Sequence, residues 1–184
     1  AGYSVTSEIG QTVAWDTRDQ RLNPSKGWLL RNSVALGGLG GTEYYYRITG
    51  DAVIYQQLIE DFVASIGGSV GITQPYNNTL LRLTNRFFLG GDTLRGFAVG
   101  GVGPRDANTL DSLGGRDYYT ASGELSFPLL GVPKELGLLG KAFVDVGSLW
   151  GAEDSLNVAG ASVLDSQLMR VGSGIGVQWI SPFG

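Results

Sequence analysis

The side chains best suited to polar chemistry in this sequence are one arginine and two carboxylates that lie far apart along the chain. Arg95 lies in a glycine-rich segment, whereas Glu124 and Asp145 lie in two later segments that alternate apolar and polar residues. A guanidinium is planar and forked, so it can donate charge-assisted hydrogen bonds to both carboxylates. Two acids on neighbouring strands would repel each other without such a cation. We therefore expect a contact that holds chain segments together, without covalent chemistry.

The composition removes most other kinds of chemistry. The 184 residues include no cysteine and no histidine, which excludes disulfides, thiolate metal sites, the usual zinc ligand and the Ser-His-Asp triad. We accordingly expect no enzyme and no catalytic, cofactor-binding or metal-binding residues. A net charge of −4 with no basic stripe argues against nucleic acid as a partner. The glycine runs at 37–41 and 100–103 precede neither a Lys-Ser/Thr pair nor a helix pattern, so they do not predict phosphate loops.

Arg95 stands at the centre of a long connection, about residues 75–115, which is rich in glycine and in aromatic and aliphatic side chains. Connections of this length without regular structure are usually functional or disordered, and the apolar content here favours an ordered loop. We predict that it folds back into a cavity, with Arg95 as the buried contact, Gly96 allowing a tight turn and Phe97 as an apolar anchor. The alternative is a solvated loop tip with Arg95 in water.

The elements that must position these residues are strands. Seven segments alternate with period two and are separated by turn sequences. They predict strands at 3–17, 28–37, 43–57, 62–74, 116–128, 137–150 and 168–180. By this parity Glu124 and Asp145 point to the same side of the sheet as Gly172, Gly174 and Gly176. Those glycines leave room for the loop or merely bend the strand. Lys141 and Arg170 are interpreted as solvated charges on the same face.

Alternation alone fits either a soluble β-sandwich or a membrane barrel. Strands of about 12 residues, long connections on one side only and aromatic residues near strand ends favour a transmembrane barrel. The aromatic residues expected at membrane interfaces are Tyr44, Tyr46, Trp150 and Trp179. Seven strands cannot close a barrel, and an open sheet edge is very costly in lipid. Because the chain opens within a strand pattern and stops in a turn, we expect it to be a fragment of a larger barrel.

Four motifs resemble, in order, a known family, the outer-membrane assembly barrels that include BamA and the mitochondrial sorting-and-assembly proteins. The most specific is the arginine-glycine-phenylalanine loop motif. The motifs are residues 88–97 (Phe-Leu-Gly-Gly-Asp-Thr-Leu-Arg-Gly-Phe), 123–128 (Gly-Glu-Leu-Ser-Phe-Pro), 143–150 (Phe-Val-Asp-Val-Gly-Ser-Leu-Trp) and 176–184 (Gly-Val-Gln-Trp-Ile-Ser-Pro-Phe-Gly).

The resemblance implies an all-β fold in which residues 1–184 are a single segment of a sixteen-stranded transmembrane barrel. It implies an arginine–aspartate contact inside the barrel, which we assign to Arg95, in the Arg-Gly-Phe motif, with Asp145 and Glu124. We call Arg95, Gly96, Phe97, Glu124 and Asp145 the loop lock. The implied function is folding and insertion of other β-barrel proteins into the bacterial outer membrane. The implied partners are the lipid bilayer, unfolded client proteins and accessory lipoproteins. The alternatives are a polypeptide secretion pore of the same superfamily and a mitochondrial location.

Overall fold

The computed structural model describes residues 4–133, 136–152 and 163–180. Its regular structure is β, apart from a short 3-10 turn at Leu83–Asn85. None of the helices in these ranges has the length and hydropathy needed to cross a membrane. The strands are β1 Glu8–Asp16, β2 Gly27–Gly37, β3 Tyr45–Ile59, β4 Phe62–Pro75, β5 Arg105–Asp106, β6 Asp117–Pro128, β7 Leu138–Trp150, β8 Val163–Leu164 and β9 Arg170–Trp179.

Seven of these strands form one antiparallel sheet in the order β1-β2-β3-β4-β6-β7-β9. Every long strand therefore pairs with its neighbours in sequence, as expected when short and long connections alternate. The two shortest strands, β5 and β8, form a separate antiparallel ladder. They lie in the two longest connections and tie these to each other. The predicted seven-stranded antiparallel fold is confirmed.

The strand boundaries differ from those predicted by at most two residues, except at the start of β1, where the difference is five residues. β1 begins at Glu8, not at residue 3, because its partner β2 ends at Gly37 and the chain turns at Gly38 with φ +112. β3 extends to Ile59 because a two-residue turn follows it, with Asp61 at φ 64. Parts of the predicted polar loop and of the last motif, residues 153–162 and 181–184, lie outside the described residues.

The two faces of the sheet differ in chemistry. We call the face covered by the long loop the inner face and the opposite one the outer face. On β7, Asp145 on the inner face is 4% exposed whereas its neighbour Val144 on the outer face is 50% exposed. The same exposure of apolar side chains recurs across the outer face at Ile48, Ile54, Ile66, Val70, Val171, Ile175 and Val177. A soluble sandwich buries its apolar face, so this arrangement is that of a membrane barrel wall.

The long loop spans residues 76–116, between β4 and β6. It leaves the sheet on the same side as the second longest connection, 151–169, as predicted. Its apolar residues form the buried cluster of the described structure, in which three loop residues pack with Leu149 of β7. The three are Leu89, Leu94 and Val102. The loop is therefore docked on the inner face rather than solvated.

Candidate functional site

The tip of the loop, residues 90–101, is a closed turn held by its own backbone. A bridge between Leu89 and Val102 closes its base, where the Val102 amide donates to the Leu89 carbonyl over 3.2 Å. Within the tip, the Gly91 amide donates to the Phe97 carbonyl over 2.8 Å. Gly96 has φ +93, a conformation that side chains with a Cβ rarely adopt. This turn directs the neighbouring Arg95 side chain towards the sheet.

Arg95 meets Asp145 through both its side chain and its backbone. Its Nε donates to Oδ2 and its Nη2 to Oδ1, each over 2.7 Å. The Arg95 backbone amide also donates to Oδ2 over 3.1 Å. The Asp145 side chain is 6% exposed and that of Arg95 is 32% exposed. The forked geometry fixes the orientation of the guanidinium as well as its position.

The remaining nitrogen of the fork reaches the second predicted carboxylate. Arg95 Nη1 donates to Glu124 Oε2 over 2.5 Å. The other oxygen of Glu124 accepts from Lys141 Nζ over 2.5 Å. The interpretation of Lys141 as a merely solvated charge is therefore wrong. In the sheet register Lys141 lies diagonally across from Glu124, since Ser126 is its direct partner.

An aromatic ring completes the surroundings of the guanidinium. The Cζ atom of Arg95 lies 3.8 Å from the centroid of the Phe143 ring, within the range of a cation–π contact. Phe143 is the direct cross-strand partner of Glu124. Phe143 belongs to one of the four motifs, and no role was predicted for it. Phe143 lies two residues before Asp145 in the same strand, so the period-two alternation already predicted that both side chains share a face.

The apolar residues that flank Arg95 fix the tip on the sheet. Leu94 is fully buried in the cluster with Leu149, and Phe97 packs against that cluster. The predicted role of Phe97 as an apolar anchor rests on this contact. Gly147 of β7 lies close to Leu94, because a Cβ on it would be 3.2 Å from Leu94 Cδ1. The tip is therefore held by packing as well as by charge.

The three inner-face glycines of β9 do not share one role. A Cβ on Gly172 would lie 2.0 Å from the Arg95 carbonyl oxygen, so this glycine makes room for the loop. A Cβ on Gly174 would lie 2.8 Å from the Phe143 ring, so this one makes room for the aromatic partner of Arg95. Nothing lies within 4 Å of the corresponding position on Gly176. Arg170, which also lies on the inner face of β9, is exposed.

The electrostatics of the site favour the charged form of the arginine. The hydrogen bonds to Asp145 raise the pKa of Arg95 against the opposing effect of burial, and the one to Glu124 raises it further. Within the described residues, no three histidine, cysteine or acidic side chains group in a way that could hold a metal ion. The arrangement is thus a fixed ion-pair network of two cations and two anions.

Comparison with known proteins assigns the chain to a family. The profile of the Omp85 superfamily domain matches residues 1–184. The chain belongs to the Omp85 superfamily. Among relatives, the outer membrane protein assembly factor BamA of Neorickettsia risticii is 31% identical over 189 residues, covering 100% of this chain and 24% of that protein. A SAM50-like protein of Schizosaccharomyces pombe is 32% identical over 155 residues, covering 81% of this chain and 32% of that protein.

Solved structures support the same Omp85 fold. The crystal structure of BamA from Haemophilus ducreyi lacking POTRA domains 1–3 matches with a TM-score of 0.79 and 23% identity, covering 94% of this chain and 36% of that one. The Omp85 chain described here thus spans about a quarter of the length of the BamA relative it matches. Its seven-stranded sheet is a segment of such a barrel, and the inner face carries the loop.

Proposed function

We propose that this Omp85 segment is part of the central barrel that folds and inserts other β-barrel proteins into the bacterial outer membrane. The Neorickettsia relative is named as an outer membrane protein assembly factor, and it matches the full length of this chain. The mitochondrial-type relatives, named for sorting and assembly, match about 70% of it. These names favour assembly over polypeptide secretion, and the full coverage of the BamA relative favours a bacterial location.

The observation that carries the proposal is the capture of the loop tip by Asp145 and Glu124. A loop that fills part of a barrel interior must be held in one place if the wall around it is to stay organised. Arg95 provides that constraint with four side-chain and backbone hydrogen bonds to two acids. In a partly wet interior such a network adds little net stability, but removing one member leaves an unmatched buried charge. The role of the loop lock is therefore positional.

We propose three kinds of partner. The exposed aliphatic residues of the outer face are suited to the hydrocarbon of a lipid bilayer. Unfolded β-barrel proteins are the clients, and their strands are recognised by strand addition at a sheet edge of the complete barrel. Accessory lipoproteins complete the assembly complex. No covalent step is required of this chain, and nucleic acid is not a partner.

The test is replacement of Arg95 by alanine in the intact protein, with insertion of a β-barrel client into outer membranes as the readout. Client insertion should fall while the protein itself still reaches the membrane. Arg170→Ala is the matched control, because Arg170 is an exposed arginine on the inner face of β9 and should be tolerated. Wild-type client insertion by the Arg95→Ala protein would overturn the proposed role of the loop lock.

A further inference from the structure

A second arginine of the long loop, Arg86, is more deeply buried than Arg95 and has no part in the loop lock. Arg86 is 6% exposed. Its Nε and Nη2 donate to the Leu81 carbonyl over 3.3 and 3.1 Å, and its Nη1 donates to the Leu113 carbonyl over 3.0 Å. Leu81 belongs to the limb that enters the loop and Leu113 to the limb that leaves it. One guanidinium therefore joins the two limbs.

The neighbouring residues make this junction the neck of the loop. The Phe87 amide donates to the Gly115 carbonyl over 2.9 Å, and the Gly115 amide donates back over 3.0 Å. The Phe87 ring packs against Tyr118 of β6, with ring centroids 4.7 Å apart. Gly71 of β4 leaves space for both rings, since a Cβ there would be 2.2 Å from Tyr118 and 2.9 Å from Phe87. The neck is thus closed by Arg86 and seated on the sheet by Phe87.

From this neck the loop narrows in steps towards its tip. The next closure is the bridge between Leu89 and Val102, and beyond it the Gly91 amide closes the tip on the Phe97 carbonyl. Each closure shortens the stretch of free chain and lowers the entropy lost when the tip docks. Arg95 therefore depends on the neck for the direction from which it reaches Asp145.

The surroundings of Arg86 are unusual for a buried cation. Within the described parts of the chain, no carboxylate forms an ion pair with it. Burial lowers the pKa of Arg86, and the charge of Arg116 lowers it further. A buried charge without a counter-ion is expensive, and an apolar residue would fill the space at lower cost. What arginine supplies is a rigid fork that can donate to carbonyls on both limbs.

We propose that Arg86 is a positioning residue: its guanidinium fixes the two limbs of the neck so that the tip presents Arg95 to Asp145 and Glu124. The inference concerns the geometry of the loop. It rests on the proposed function only where client insertion is the readout.

The first test measures the tip position in the intact protein in lipid. These 184 residues include no cysteine. With any cysteine elsewhere in the intact protein replaced, spin labels at Val99→Cys, which is 87% exposed at the tip, and at Ser173→Cys on the outer face of β9 report one distance. The wild-type protein should give one narrow distribution. Arg86→Met should broaden it, and Arg86→Lys should also broaden it, because an ammonium is a single donor centre without the fork. If Arg86→Met fails to fold, Arg86→Lys provides the measurement.

A neighbouring arginine serves as the control. Arg82 is half exposed and pairs with Glu43. Arg82→Met should leave the distance unchanged. A wild-type distribution in Arg86→Met or in Arg86→Lys would overturn the inference, as would equal broadening in Arg82→Met and Arg86→Met.

The second test is a double-mutant cycle on client insertion. If Arg86 acts through Arg95, the double variant Arg86→Met/Arg95→Ala should be impaired no more than about twofold beyond Arg95→Ala alone. If the losses of client insertion in the two single variants multiply in the double variant, Arg86 acts independently of Arg95, and the inference is overturned. If Arg95→Ala inserts clients normally, the proposed function of the lock fails, and the label distance alone decides the role of Arg86.

Discussion

Two arginine–aspartate pairs in this molecule share one hydrogen-bond pattern and differ in what they connect. In the turn after β1, Arg18 donates from Nε, Nη2 and its backbone amide to Asp16 over 2.9, 2.8 and 3.1 Å. Arg95 donates from the same three groups to Asp145 over 2.7, 2.7 and 3.1 Å. The partners are 2 residues apart in the first pair and 50 residues apart in the second.

The difference between the pairs lies in topology and solvation. Asp16 and Arg18 are already neighbours in the unfolded chain, so their pair orders only a local turn and costs little loop entropy. Asp145 is nearly buried, and its pair joins a loop to a strand of the wall. The Asp16 side chain is 27% exposed and that of Asp145 is 6% exposed. A local pair with a partly exposed carboxylate is worth little, whereas an unmatched charge at a buried position is costly. The same geometry should therefore have very different consequences when broken.

The largest effect is expected from Asp145→Ala. It removes the acceptor of three Arg95 hydrogen bonds and leaves Glu124 as the remaining partner. We expect the free energy that holds the tip in its docked position to fall by about 2 kcal/mol or more. The rate of amide hydrogen exchange at residues 94–97 should then rise at least about thirtyfold. Hydrogen exchange with mass spectrometry in lipid nanodiscs measures this. Unchanged exchange at the tip would mean that the long-range pair is as dispensable as the local one.

A somewhat smaller effect is expected from Gly172→Ala. The added Cβ would meet the Arg95 carbonyl oxygen at 2.0 Å, so the tip must move away from β9 at a cost of about 1–3 kcal/mol. Gly176→Ala, on the same face of the same strand, meets no atom within 4 Å. Tip protection should fall only in the first variant. Equal protection in the two variants would contradict the close approach of loop and wall.

Replacement of Phe143 by leucine tests the aromatic part of the pocket. The aliphatic side chain retains packing but loses the cation–π contact, which is worth about 0.5–1 kcal/mol in a partly exposed site. We expect the rate of amide hydrogen exchange at the tip to rise about two- to fivefold. Val144→Leu is the control, since its side chain lies on the outer face. A larger effect from Val144→Leu than from Phe143→Leu would reverse this assignment.

The smallest effect is expected from Asp16→Ala. The turn after β1 keeps other contacts, including three bonds from Ser25 and Lys26 to Asp19. We expect faster exchange confined to residues 17–26 and no change at the loop tip or in client insertion. Loss of tip protection in this variant would mean that the two pairs are coupled, against their separation in the fold.

The sequence predicted the parts of the site that follow from strand parity and from motifs. Alternation along β6 and β7 placed Glu124 and Asp145 on one face, and the position of Arg95 within an apolar, glycine-rich loop predicted that it docks. The pairing of Lys141 with Glu124 was missed because it depends on the exact register of two strands. A diagonal contact of this kind leaves no trace in either strand's own pattern.

Arg86 was missed for a different reason. It binds only backbone carbonyls, and any residue could supply those, so no partner residue type marks the contact in the sequence. The distinct roles of Gly172 and Gly174 also depend on loop atoms that come close only in the folded chain. Local patterns therefore predicted which side chains share a face, and tertiary contacts decided what each of them touches.

The most direct test of the account is a distance measurement within the long-range pair itself. In the intact protein in lipid, nitrogen-15 labels on Arg95 and a carbon-13 label on the Asp145 carboxyl carbon allow a solid-state dipolar recoupling experiment. The 2.7 Å contacts from Nε and Nη2 place both nitrogens within about 4 Å of that carbon. The account predicts strong dipolar coupling from both nitrogens, retained when Asp16 is replaced by alanine. Absence of coupling in the wild-type protein would contradict it.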